Sequence, residues 1–166
     1  ALERGCTVTC FEPHPDNLPT LRANVERHGG KVVPAAVGLD GMPRTFYATP
    51  RTASASLYHK ADGRRVKVRG ATLDFALGEV TPRPNQPVVV KIDAEGAEIE
   101  ILSLGNAPLF RESIHAVLME GHNYAGHVYR DYLERCGFEV ELRGGGVPQP
   151  DYDESFGGGM LYARRE

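Results

Sequence analysis

Apolar and polar positions follow two different periods along this chain, and the changes of period mark the expected elements. Residues 7–11 (TVTCF) are β-branched and apolar and stop at Glu12-Pro13, which predicts a short strand ending in an acid. Pro15-Asp16-Asn17 is a helix-start signal. Leu18, Leu21 and Val25 then share one helical face until Gly29-Gly30 stops it. Residues 31–37 return to a strand-like run, and a crossover this short predicts two parallel strands with a right-handed connection. The next segment is less regular: residues 44–48 suit a strand and 54–58 a loop or short helix. Residues 66–69 alternate apolar with basic, as a strand exposed on one side does, and Thr72 is placed to cap a helix.

The second half repeats the alternation more strongly. Residues 88–92 (VVVKI) are the strongest strand signal; they run into Asp93-Ala94-Glu95-Gly96-Ala97-Glu98 and a helix ending at Gly105. Residues 115–119 form a further apolar strand ending Glu120-Gly121-His122. Val128, Tyr132, Leu133 and Cys136 recur at helical spacing before Gly137, and 138–142 and 160–163 read as closing strands on either side of a Gly/Pro-rich loop. Strands alternating with helices predict a doubly wound α/β sheet, and two final strands without a helix between them predict an antiparallel pair closing it. No internal repeat or second composition regime appears, so residues 1–166 read as one domain.

Composition narrows the classes. The 166 residues are 41% hydrophobic and 25% charged, which is globular, and a net charge of -3 argues against a nucleic-acid partner. No apolar run approaches the roughly 20 residues of a membrane helix. Three cysteines (Cys6, Cys10 and Cys136) cannot all pair, which points to a reducing, cytoplasmic setting. The chain opens Ala-Leu-Glu-Arg-Gly without Met or leader, like the last turn of a helix.

Ligands of doubly wound sheets sit at the carboxyl ends of the strands, where the acids of this chain lie. Glu12 is placed to accept hydrogen bonds from both ribose hydroxyls of an adenosine. Asp93 is expected at the bottom of a cleft with Glu95 on the neighbouring loop. Glu98, one turn into the helix, is sufficiently explained by the helix dipole and is expected to face water. Glu120 and His122 end the adjacent strand, where a histidine can take a proton near neutral pH. His122 and His127 lack a third ligand for zinc, and no resident metal is expected, a hard cation on Asp93, Glu95 and Glu120 being the lesser reading. Asp74 suits either a helix cap or the cleft. Asp151, Asp153 and Glu154 suit a solvated or lid segment, and Arg64-Arg65-Lys67-Arg69 a wet strand face.

Six stretches in order resemble the FkbM-family methyltransferases: FEPHPDNLPTLRANV (11–25), AAVG (35–38), ATLD (71–74), VVVKIDAEGAEIEIL (88–102), LMEGH (118–122) and LERCGFEV (133–140). The resemblance implies a Rossmann-like class I sheet, mostly parallel with an antiparallel last strand. It also implies S-adenosylmethionine as cofactor and O-methylation of a hydroxyl on a sugar or polyketide-type small molecule. By that correspondence Glu12, Pro13 and Asp93 lie at the cofactor, and Asp93, Glu95 and His122 at the chemistry. The family's first strand and its Asp-x-Gly-x-x-x-Gly loop should precede residue 1, so the chain is expected to lack the sheet's first strand and to be impaired in cofactor binding. Two other classes are weighed. A nicotinamide-dependent dehydrogenase would use the same ribose-binding acid, but no Tyr-x-x-x-Lys pair occurs. A non-catalytic remnant of the same fold is the other.

Overall fold

The computed structural model describes residues 1, 3, 5–38, 40–49, 55, 57, 63–80, 86–102, 106–122, 126–143 and 160–165. They divide into two units, Ala1–Thr81 and Pro82–Glu166. The expected segments 54–58 and 81–87 lie largely outside the described residues, and Asp151, Asp153 and Glu154 wholly so.

The first unit begins β1 (Thr9–Phe11), α1 (Leu18–Val25), a 3-10 turn (Glu26–His28) and β2 (Lys31–Val33). β1 and β2 are parallel, with Thr9 opposite Lys31 and Phe11 opposite Val33, as the short crossover predicts. The run expected over 31–37 is two strands. Pro34, which has no N–H to give a ladder, separates β2 from β3 (Ala35–Gly38). β4 (Arg44–Ala48) and β3 flank β5 (Arg64–Thr72), β3 parallel to it and β4 antiparallel. β5 is longer than its alternating core suggested, and Gly70 shows why its inner end must be small: a Cβ there would lie 2.1 Å from the Met42 carbonyl oxygen. The Thr72 hydroxyl accepts the Phe75 N–H at 3.1 Å and starts α2 (Leu73–Gly78), so Thr72 is the cap and Asp74 an exposed acid of the first turn.

The second unit contains β6 (Val89–Ile92), α3 (Glu98–Ile101), α4 (Ala107–Glu112), β7 (Ala116–Glu120), α5 (Gly126–Arg135), β8 (Glu139–Arg143) and β9 (Met160–Arg164). Its strands lie in the order β6-β7-β9-β8. β6 and β7 are parallel, and β9 enters antiparallel between β7 and β8, which gives the expected antiparallel closing pair. Phe110, Ile114, Val117, Met119, Tyr129, Leu133, Leu161 and Ala163 form its buried interior. Gly137 at φ 86° supplies the left-handed residue that ends α5.

The protein is therefore α/β with mixed sheets, its described strands grouped in sheets of two, three and four. Cys6, Cys10 and Cys136 are free thiols, and among the described residues no helix is long and apolar enough to cross a membrane.

Candidate active site

In the first unit the loop after β1 is built around Glu12. Its Oε1 accepts the His14 N–H at 2.6 Å and its Oε2 accepts the Asn17 side-chain amide at 3.2 Å. Asn17 thus stands at the α1 N-terminus without making a capping bond of its own. His14 pins the turn from behind. It is 1% exposed, its Nδ1 accepts the Asp16 N–H at 3.2 Å, and its Nε2 lies 3.4 Å from the Thr49 carbonyl. Its ring packs edge-on to Phe46 at 5.7 Å. Held by these contacts on both ring nitrogens, His14 is a structural residue of the turn. A carboxylate has about four acceptor sites. One internal donor per oxygen therefore leaves Glu12 able to receive a pair of adjacent hydroxyls, which fits the ribose of an adenosine. Pro13 follows it, half-buried, with no N–H left to satisfy.

The basic strand segment is solvated, as expected. Arg64 pairs with Asp16 at 3.5 Å, Lys67 donates to Thr45 Oγ1 at 3.0 Å, and the Arg69 guanidinium sits 4.8 Å from the Phe75 ring centroid.

In the second unit the loop after β6 and the end of β7 converge. Lys91 and Asp93, two apart in extended chain, share an exposed face and pair at 2.9 Å. Asp93 is therefore an exposed residue neutralised by its own strand, not the floor of a cleft. Glu95 takes φ 50° and Gly96 φ 101°, both in the left-handed region. Two residues after Gly96, at the start of α3, stands Glu98, and here the expectation of a water-facing helix acid fails. Glu98 is 0% exposed. Its Oε1 accepts the N–H groups of Ala94 (3.0 Å) and Gly96 (3.2 Å), and lies 2.9 Å from His122 Nδ1.

His122 is anchored at its backbone by the Tyr129 hydroxyl, which donates to its carbonyl at 2.5 Å. Its Nε2 stands 3.9 Å from Glu95 Oε1 and 4.0 Å from Glu120 Oε1, close enough for charge attraction and too far for a hydrogen bond. Burial works against a charged ring, but the Glu98 hydrogen bond and the charges of Glu98, Glu95 and Glu120 outweigh it, so the His122 pKa is raised. One polar atom each of Asp93, Glu95 and His122 lies within 4.8 Å of the others, a spacing that suits a cation or the hydroxyls of a polar substrate.

The structure thus brings Asp93, Glu95 and His122 together and adds Glu98 and Glu120; His127 is exposed on α5, outside that group. Glu12 and Pro13 belong to the first unit. From sequence, Glu98 has only a helix-dipole role and His14 does not stand out. The signal for Glu98 was its spacing of five from Asp93 and the glycine two residues before it, which suits a left-handed turn.

The chain matches the model of the methyltransferase FkbM domain over residues 1–140. It is 34% identical over 119 residues to the hexuronic acid methyltransferase AglP of Haloferax volcanii, a stretch covering 69% of this chain and 47% of AglP. The chain thus spans about half the length of the curated relative it matches. No solved structure matches it.

Proposed function

The chain belongs to the FkbM methyltransferase family, and from that premise we propose that it serves the S-adenosylmethionine-dependent O-methylation of a sugar. The relative that acts on a hexuronic acid supports a carbohydrate acceptor. A family match running unbroken through both units supports reading them as one methyltransferase domain. The antiparallel entry of β9 beside parallel β6 and β7 supports a Rossmann-like sheet of the class I kind. An odd number of cysteines, all free, supports a cytoplasmic setting.

When bound, S-adenosylmethionine supplies the methyl group, carried on a sulfonium sulfur. Glu12 would receive its ribose hydroxyls, with Pro13 holding the turn. In the second unit Glu95 and Asp93 accept hydrogen bonds from hydroxyls flanking the reacting one, which orients the sugar. His122 takes the proton of the reacting hydroxyl at Nε2. His122 fits that role better than Asp93, because Asp93 is exposed and already paired with Lys91. One observation carries the reading: a histidine at the end of β7 with one ring nitrogen on a buried carboxylate and the other facing two more.

The test is transfer of labelled methyl from S-adenosylmethionine to a panel of hexuronic acids, neutral hexoses and polyketide alcohols. Labelling confined to sugars supports the proposal. Labelling of polyketide alcohols alone, or of nothing on the panel, overturns it.

A further inference from the structure

Glu98 is the one fully buried carboxylate among the described residues, and the proposed chemistry has so far not used it. Helix electrostatics do not account for it. An acid in a first helical turn gains its roughly 0.3–1 kcal/mol while facing water, without the cost of burial. Glu98 is instead enclosed. Oε1 gathers two backbone N–H groups and His122 Nδ1, while Oε2 has no hydrogen-bond partner among the described residues. It also links the loop after β6 to the end of β7 across 24 residues of sequence.

The geometry decides the tautomer. An oxygen already accepting from Ala94 and Gly96 can only accept from the ring too, so the proton lies on Nδ1 and the lone pair on Nε2. We propose that Glu98 is a positioning residue that holds His122 in the Nδ1–H tautomer, so that Nε2 is the atom that receives the acceptor proton. This rests on the reading of His122 as the base. As the acceptor O–H bond breaks, the proton goes to Nε2, the Nδ1 proton stays against Glu98, and the ring becomes an imidazolium. Among the described residues the groups facing that charge are Glu98 at the start of α3, Glu95 and Asp93 on the loop after β6, and Glu120 on β7, while the Tyr129 hydroxyl of α5 holds the backbone.

The experiment is nitrogen NMR of histidine-labelled protein, wild type beside Glu98→Gln and Glu98→Ala, titrated without cofactor or acceptor. In the wild type the neutral His122 ring should carry its proton on Nδ1. Glu98→Gln keeps an acceptor oxygen and loses the charge, so it should keep the tautomer and titrate at lower pH than wild type. Glu98→Ala should give a mixture of tautomers, and Glu98→Gln decides if the alanine variant does not fold. A wild-type ring protonated on Nε2, or an unchanged midpoint in Glu98→Gln, overturns the proposal. The acid limb of methyl transfer should move down in Glu98→Gln by as much as the NMR midpoint. A limb that stays while the midpoint moves overturns the role of His122 as base and leaves the Glu98 contact standing.

Discussion

Glu12 and Glu98 are both carboxylates tied to backbone N–H groups of their own loops, and they differ in what remains open. Glu12 is half-buried with one internal donor on each oxygen, whereas Glu98 is fully buried against His122. Replacing Glu12 by Ala should therefore weaken S-adenosylmethionine binding by about 1.5–3 kcal/mol, the scale of a hydrogen bond to a charged group. Calorimetry reads this directly, and unchanged affinity would remove Glu12 from the cofactor site. His122 gives a second test. Folding raises its pKa above the ordinary value of about 6.5. Its contribution to stability is then fully present below that value and lost as pH rises through the raised one. The melting temperature of wild type should fall relative to His122→Asn across that window, and parallel curves would mean that the surrounding carboxylates do not favour the charged ring. At this scale the sequence showed which residue types stand at the strand ends. It did not show burial. An acid at the first position of a short helix looks the same facing water or enclosed, and what encloses Glu98 is the turn at Glu95 and Gly96 together with a histidine 24 residues on.

Local chemistry made most elements legible. Thr72 caps α2 as its position before an apolar helical segment predicts, and Gly137 ends α5. Thr72→Ala should lower stability by about 1 kcal/mol, the ordinary cost of losing such a cap, read as a shift in the denaturation midpoint without change in slope. Hydrophobicity alone left two features open. The run 31–37 is continuous in apolar content but broken in hydrogen bonding by Pro34. The valine-rich run of β6 is a strand as its pattern predicts, but its apolar content does not report burial: Val89 is 63% exposed, and Lys91 and Asp93 share its open face. The insertion of β9 between β7 and β8 was not legible, because strand order is set by packing between segments that the local pattern does not encode.

Across the whole molecule, family likeness and site geometry coincide on the same stretches of chain. Six ordered stretches resemble one family, and the family model spans residues 1–140. Physical reading of the same stretches places a histidine among carboxylates where β7 ends. A mild net charge of -3 argues against a polyanionic partner. In the proposed reaction His122 takes the proton of the methylated hydroxyl. The most direct measurement of that step is methyl-transfer turnover of wild type and His122→Asn on one sugar acceptor, with S-adenosylmethionine affinity measured on the same samples. Turnover should fall by about 10²–10⁴-fold, the usual scale of general-base catalysis, while affinity stays within a few fold. Equal turnover in the two proteins would contradict that role for His122.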